Sequence, residues 1–94
     1  MVAPYYQGDS VPMEFTVSYK SEGVTPSYAK VHIQDPYGTI HEMDDATIDS
    51  STVSFIVPPT HTIAIGSYKV EFRLGMSYGE RTHFREFHIS SNIS

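Results

Sequence analysis

From Gly66 to Leu74 the chain alternates without a fault. Tyr68, Val70, Phe72 and Leu74 are apolar, while Ser67, Lys69, Glu71 and Arg73 are polar. Successive side chains of a strand leave opposite faces of a sheet, so a period of two gives one dry face and one wet face. A helix cannot use that pattern, because its apolar stripe recurs every three or four residues. The stretch is therefore predicted to be a central strand, started by Gly66, in a small β-sandwich.

The rest of the chain repeats the rhythm in shorter pieces. Met13, Phe15, Val17 and Tyr19 alternate with Glu14, Thr16, Ser18 and Lys20, and Ala29, Val31 and Ile33 with Lys30, His32 and Gln34. Val53, Phe55 and Val57 alternate with Thr52, Ser54 and Ile56, where the apolar Ile56 predicts cover on both faces. Residues 80–89 return as a last strand, but Phe84, Phe87 and Ile89 break the alternation once. A β-bulge near Arg85 would restore the phase. Asp35-Pro36-Tyr37-Gly38 is the strongest turn, since proline sets φ at about −65° and glycine accepts a positive φ. It predicts a hairpin returning through residues 39–43.

Punctuation separates the strands. Residues 21–26 read as a polar loop, and residues 44–51 as an acidic, turn-prone stretch with room for one short strand. Pro58-Pro59 stops the strand before it. In the link that follows, Ile63 and Ile65 are expected to plug one end of the sandwich. Residues 1–10 read as an extended arm with an edge strand, residues 11–90 as the sandwich and residues 91–94 as a frayed tail. Pro4 and Pro12 belong at edges, where no ladder donor is lost.

No segment carries helical spacing and no repeat is present. About seven short antiparallel strands with turn signals between them argue for one all-β domain, an immunoglobulin-like β-sandwich. Tyr68, just after Gly66 at the entry to the penultimate strand, stands where a tyrosine corner would. A plain core tyrosine is the other reading.

Charge and composition then exclude functions. The 94 residues carry 6 Lys plus Arg against 11 Asp plus Glu, a net charge of −5. Phosphate binding needs a basic face, so no nucleic-acid partner is expected. No apolar run reaches the roughly 20 residues that cross a bilayer, and the first residues lack the basic and apolar regions of a secretory signal. No membrane partner is expected, and synthesis in the cytoplasm is. There are no cysteines, so disulfides and thiolate metal sites are out.

Candidate chemistry is thin. His32 and His41 flank the Asp35 turn with Glu42 nearby, yet zinc needs three or four convergent ligands. His83 and His88 fall on opposite faces of a regular strand. His61 sits in a loop with no evident partner. Asp44, Asp45 and Asp49 could attract calcium but lack the spacing and glycine of a calcium loop, and a solvated acidic loop accounts for them as well. No nucleophile elbow, phosphate-cradling loop or deep cleft is legible, so no catalytic residue, metal ligand or cofactor is assigned and no enzyme is expected.

Aromatic side chains offer more. Seven Tyr and five Phe stand in the chain without a Trp. Tyr5, Tyr6, Tyr28, Tyr37 and Tyr78 fall in predicted loops, strand ends or the arm. Tyrosine suits interfaces because its ring is rigid and apolar while its hydroxyl stays wet. Tyr5, Tyr6, Tyr37 and Tyr78 are the candidate binding residues, with the arm pair placed to reach a neighbouring subunit.

The opening Gln7-Gly8-Asp9-Ser10-Val11-Pro12-Met13-Glu14-Phe15-Thr16-Val17 resembles the first strands of immunoglobulin-like domains from tailed-bacteriophage virions, such as those at the start of upper baseplate proteins. The hairpin around Asp35-Pro36-Tyr37-Gly38, the step Gly66-Ser67-Tyr68 and the ending Phe87-His88-Ile89 carry the likeness to residue 89. Baseplate proteins hold this domain ahead of a longer chain, which is a departure here. The resemblance implies a non-enzymatic virion structural protein of neck, tail or capsid decoration, in several symmetric copies that contact other virion proteins. A carbohydrate- or host-surface-binding module is the alternative, and it would need several aromatics in line on one face.

Overall fold

A computed structural model describes residues 5–91, with no α-helix among them. The strands are β1 (Tyr5–Tyr6), β2 (Val11–Thr16), β3 (Ser18–Tyr19), β4 (Glu22–Gly23), β5 (Ala29–Gln34), β6 (Ile40–Glu42), β7 (Thr47–Asp49), β8 (Thr52–Val57), β9 (Gly66–Met76) and β10 (Gly79–Ser90). A single 3-10 turn, Pro59–His61, follows β8 where the paired prolines end it.

The larger sheet has the order β1-β10-β9-β5-β6 and the smaller β2-β8-β7, with β3 and β4 as a separate hairpin. Every pair is antiparallel except one: β1 runs parallel to β10, with Tyr5 opposite Ile89 and Tyr6 opposite Ser90. The alternating strand β9 lies between β10 and β5, as its pattern requires. Its residues Tyr68, Val70, Phe72 and Leu74 are each at most 2% exposed. Phe72 meets the smaller sheet directly, edge-on to Phe15 at 4.9 Å and to Phe55 at 6.3 Å. Val11 on β2, Val31 and Ile33 on β5, and Val53 and Val57 on β8 complete this shared core. Each such side chain contributes about 1.5–3 kcal/mol when fully buried, so the interior between the sheets dominates stability.

Local chemistry sets the turns. Asp35 closes the β5–β6 hairpin: its Oδ1 accepts the Tyr37 and Thr39 N–H groups, both at 2.9 Å, and Gly38 takes φ 89°. The loop expected over residues 21–26 starts instead inside the β3–β4 hairpin. Lys20 and Ser21 turn it with φ of 52° and 68°, and two positive φ values match the twist of tight hairpins. Val17 is buried between β2 and β3, and its N–H continues the β2 ladder onto the Ser51 carbonyl at 2.7 Å. Pro12 sits on β2, an edge strand.

Four expectations need correction. There is no bulge in β10, which pairs with β9 without interruption from Gly79↔Met76 to Ile89↔Gly66. Phe84 is 54% exposed on the outer face, and His83 turns inward to stack on Phe15 at 4.1 Å. An imidazole has taken the place that the bulge would have given to a phenyl ring. Ile63 and Ile65 do not plug the sandwich end; they are 58% and 50% exposed. Thr62 is buried in their stead, its hydroxyl donating to the Asp9 carbonyl (2.7 Å) and the Pro59 carbonyl (3.1 Å). Ile56 is likewise exposed rather than covered. Tyr19 does not continue the buried row of Met13, Phe15 and Val17 but lies in the separate hairpin, exposed. The expected frayed tail, beyond Ser91, and the first four residues of the arm lie outside the described residues.

Candidate functional site

The antiparallel register separates the sheet into two ends. Gln34 pairs with Lys69 and Ala29 with Leu74. The Asp35 turn, with Tyr37, therefore lies at the end where β9 starts. The β9–β10 turn, with Tyr78, lies at the other.

At the first end, Asp35, Tyr37, His41, His61, Ile63 and Ile65 line a concavity of about 600 Å3. Asp35 Oδ2 bonds the His41 ring nitrogen Nε2 at 2.9 Å. That bond, joined by the Tyr37 and Thr39 N–H groups, holds the Asp35 carboxyl below its ordinary pKa against the opposing effect of desolvation. The His61 ring stands edge-on to His41 at 5.3 Å, a partner that sequence reasoning did not find. Gln7 reaches in from the loop after β1 and donates its amide to the Ile63 carbonyl at 2.7 Å. Around this polar floor stand three outward apolar side chains: Tyr37, 82% exposed, with Ile63 and Ile65. Both Asp35 oxygens already accept hydrogen bonds, so the carboxylate serves the turn and its histidine.

The remaining candidates are distributed. His32 pairs with Glu42 and Ile33 with His41, so His32 and His41 leave opposite faces and share no site. Among the described residues no group of three or more His, Asp or Glu is placed to hold a metal ion. Tyr78 rests on Tyr19 at 5.0 Å, forming an exposed aromatic pair at the far end. Tyr5 is half-buried and edge-on to Phe87 at 6.4 Å, so it packs against the core. Tyr6 is exposed, with its N–H on Asp9 Oδ2 at 2.9 Å. Tyr28 crosses the face of Gly75, where a Cβ would strike its ring, and donates its hydroxyl to Glu80 at 2.7 Å. The four candidate tyrosines are thus split: Tyr37 at one end, Tyr78 at the other, and Tyr5 and Tyr6 along the β10 edge.

A second concavity, about 520 Å3, lies on the outer face of the larger sheet between the exposed Ile40 and Phe84. Its floor is charged: Lys69, Glu71 and Arg73 line it, and Arg73 donates to Glu71 at 2.6 Å. Of these surface features, sequence reasoning missed Ile63, Ile65, Tyr19 and Phe84. Ile63 and Ile65 carried a signal, since Thr62, Ala64 and the short turn between prolines and Gly66 also alternate. The sequence matches no family model and no curated protein sequence.

Proposed function

We propose that the fold is an immunoglobulin-like sandwich and that the protein is a non-enzymatic structural component of a tailed-phage virion, docking to other virion proteins. Two features support the fold reading. The order β2-β8-β7 fits the B-E-D strands and β10-β9-β5 the G-F-C strands of the immunoglobulin arrangement, while β1 pairs with β10 instead of β2. The Tyr68 hydroxyl donates to the Ala64 carbonyl at 2.6 Å, four residues upstream at the entry to the penultimate strand, which is the geometry of a tyrosine corner. The virion assignment rests on the likeness of residues 7–89 to phage immunoglobulin-like domains. Neck, tail and capsid decoration are all compatible with it.

One observation carries the docking reading: Tyr37, Ile63 and Ile65 stand exposed together at one end, where a loop with no partner is ordinarily polar. Clustered, exposed apolar and aromatic side chains supply the anchors of a protein contact. The glycan-binding alternative asks for aromatics in a row, and Tyr37 and Tyr78 at opposite ends do not make one.

Antibody against the chain is expected to decorate tailed particles from the same source at a repeated position. Protein carrying Ile63→Lys and Ile65→Lys should fold normally but re-bind depleted particles at least about tenfold more weakly, the loss of roughly 1.4 kcal/mol or more. Purified particles free of the protein would overturn the virion reading, and undiminished re-binding by the double variant would overturn the docking end.

A further inference from the structure

On its outer side β10 is paired only where β1 lies, opposite Ile89 and Ser90. From Gly79 to His88 it has β9 on one side and, among the described residues, no strand on the other. The Gln7 N–H donates to the Ser90 carbonyl at 3.2 Å, so the Ser90 backbone faces this open side. Strand backbones alternate in direction and the β9 register is unbroken. Glu80, Thr82, Phe84 and Glu86 therefore turn their N–H and C=O groups outward as well. The stretch has no proline and no lysine, the usual guards of an exposed edge.

Inward-pointing charges are another guard, and β10 has Arg81 and Arg85 on its inner face. Both are engaged elsewhere. Arg81 donates to the Ser18 carbonyl at 2.9 Å and Arg85 to the Glu14 carbonyl at 3.3 Å. The guanidinium groups reach back to the smaller sheet and its hairpin instead of projecting beyond the edge.

We propose that this edge pairs with the same edge of a second copy, antiparallel, with Phe84 opposite Phe84 on the two-fold axis. Charge selects that register. Side chains must match face for face, so only shifts of two are allowed. With His83 on the axis, Glu80 would oppose Glu86 and Arg81 would oppose Arg85, and like charges directly opposite are destabilising. With Arg85 on the axis it would oppose itself. With Thr82 on the axis the ladder shortens and sets the Glu80 carboxylate against Phe84. With Phe84 on the axis, Glu80 meets His88, Thr82 meets Glu86, Arg81 meets Phe87, and His83, neutral because its Nε2 accepts from Arg85, meets Arg85 of the second copy, while the two exposed phenyl rings cover one another. This self-association does not depend on the virion reading and can hold if that reading fails.

Because the chain has no cysteine, single-cysteine variants report the register cleanly. Residues directly opposite in an antiparallel pair stand about 4.5–5.5 Å apart at Cα, within disulfide reach, whereas a four-residue offset is beyond it. Phe84→Cys is expected to form a covalent dimer on mild oxidation. Thr82→Cys and Glu86→Cys should each form no disulfide-linked dimer alone and cross-link when mixed. Phe84→Lys, with its fold checked by circular dichroism, should weaken dimerisation in sedimentation equilibrium by about tenfold or more. Failure of the mixed pair to cross-link, self-linking by Thr82→Cys, or a monomer at every concentration would overturn the proposal. So would an edge that takes up only a strand from a different protein.

Discussion

His83 shows how one side chain couples surface to core. Its ring stacks on Phe15, and its Nε2 accepts from Arg85 Nε at 3.3 Å, which requires the neutral imidazole. Burial foremost, then Arg85 and Arg81, lowers its pKa from the ordinary value. The folded protein therefore resists protonation that the unfolded chain accepts below about pH 6.5. The stabilisation is complete above that value and is lost progressively as pH falls below it toward the lowered folded-state pKa, because the unfolded state then binds more protons. Urea midpoints taken from about pH 7.5 to about pH 5.5 should fall less for His83→Gln than for the parent protein; equal slopes would remove His83 from the account. The same residue explains one failure of sequence reading. Counted as polar, it forced Phe84 inward and called for a bulge. An imidazole flanked by guanidinium groups can serve as an apolar surface, and the alternation then runs through β10 unbroken.

Elements with strict alternation were legible because burial on one face leaves the register no freedom. The β9 pattern and the Asp35 hairpin are such cases. Connections were less legible, since hydrogen bonding decides them as much as hydropathy does. In the link between β8 and β9, Thr62 goes inside because two carbonyls await its hydroxyl, and Ile63 and Ile65 are left outside. The tyrosine at the entry to β9 ties that link down. Tyr68 stacks on Phe87 at 4.8 Å and bonds the Ala64 carbonyl. Tyr68→Phe keeps the ring but strands the carbonyl, so it should cost about 1 kcal/mol in urea denaturation. A loss confined to the link would show as faster amide exchange around Ala64 with the β9 core unchanged.

At the scale of the whole molecule, one core joins the two sheets, and β1 closes part of the boundary. The stretch expected as an extended arm with an edge strand is, at Tyr5–Tyr6, an edge strand on β10, and its first ring covers Phe87 instead of reaching outward. Removing residues 1–6 strips that cover and should cost about 1–2 kcal/mol, the worth of a half-buried aromatic. Scanning calorimetry would register it as a fall in Tm of roughly 4–8 °C per kcal/mol for a domain of this size. An unchanged Tm would leave Tyr5 and Tyr6 as the partner-contacting arm that the sequence suggests.

The parallel pairing of β1 with β10 has a mechanical consequence. The polypeptide enters at the upstream end of this pair and leaves from its downstream end. A pull on both attachments loads the Tyr5–Tyr6 and Ile89–Ser90 contacts in shear, all at once, rather than peeling them apart one by one. Tension along the backbone would meet its first resistance at this short clasp, before it reached Phe72.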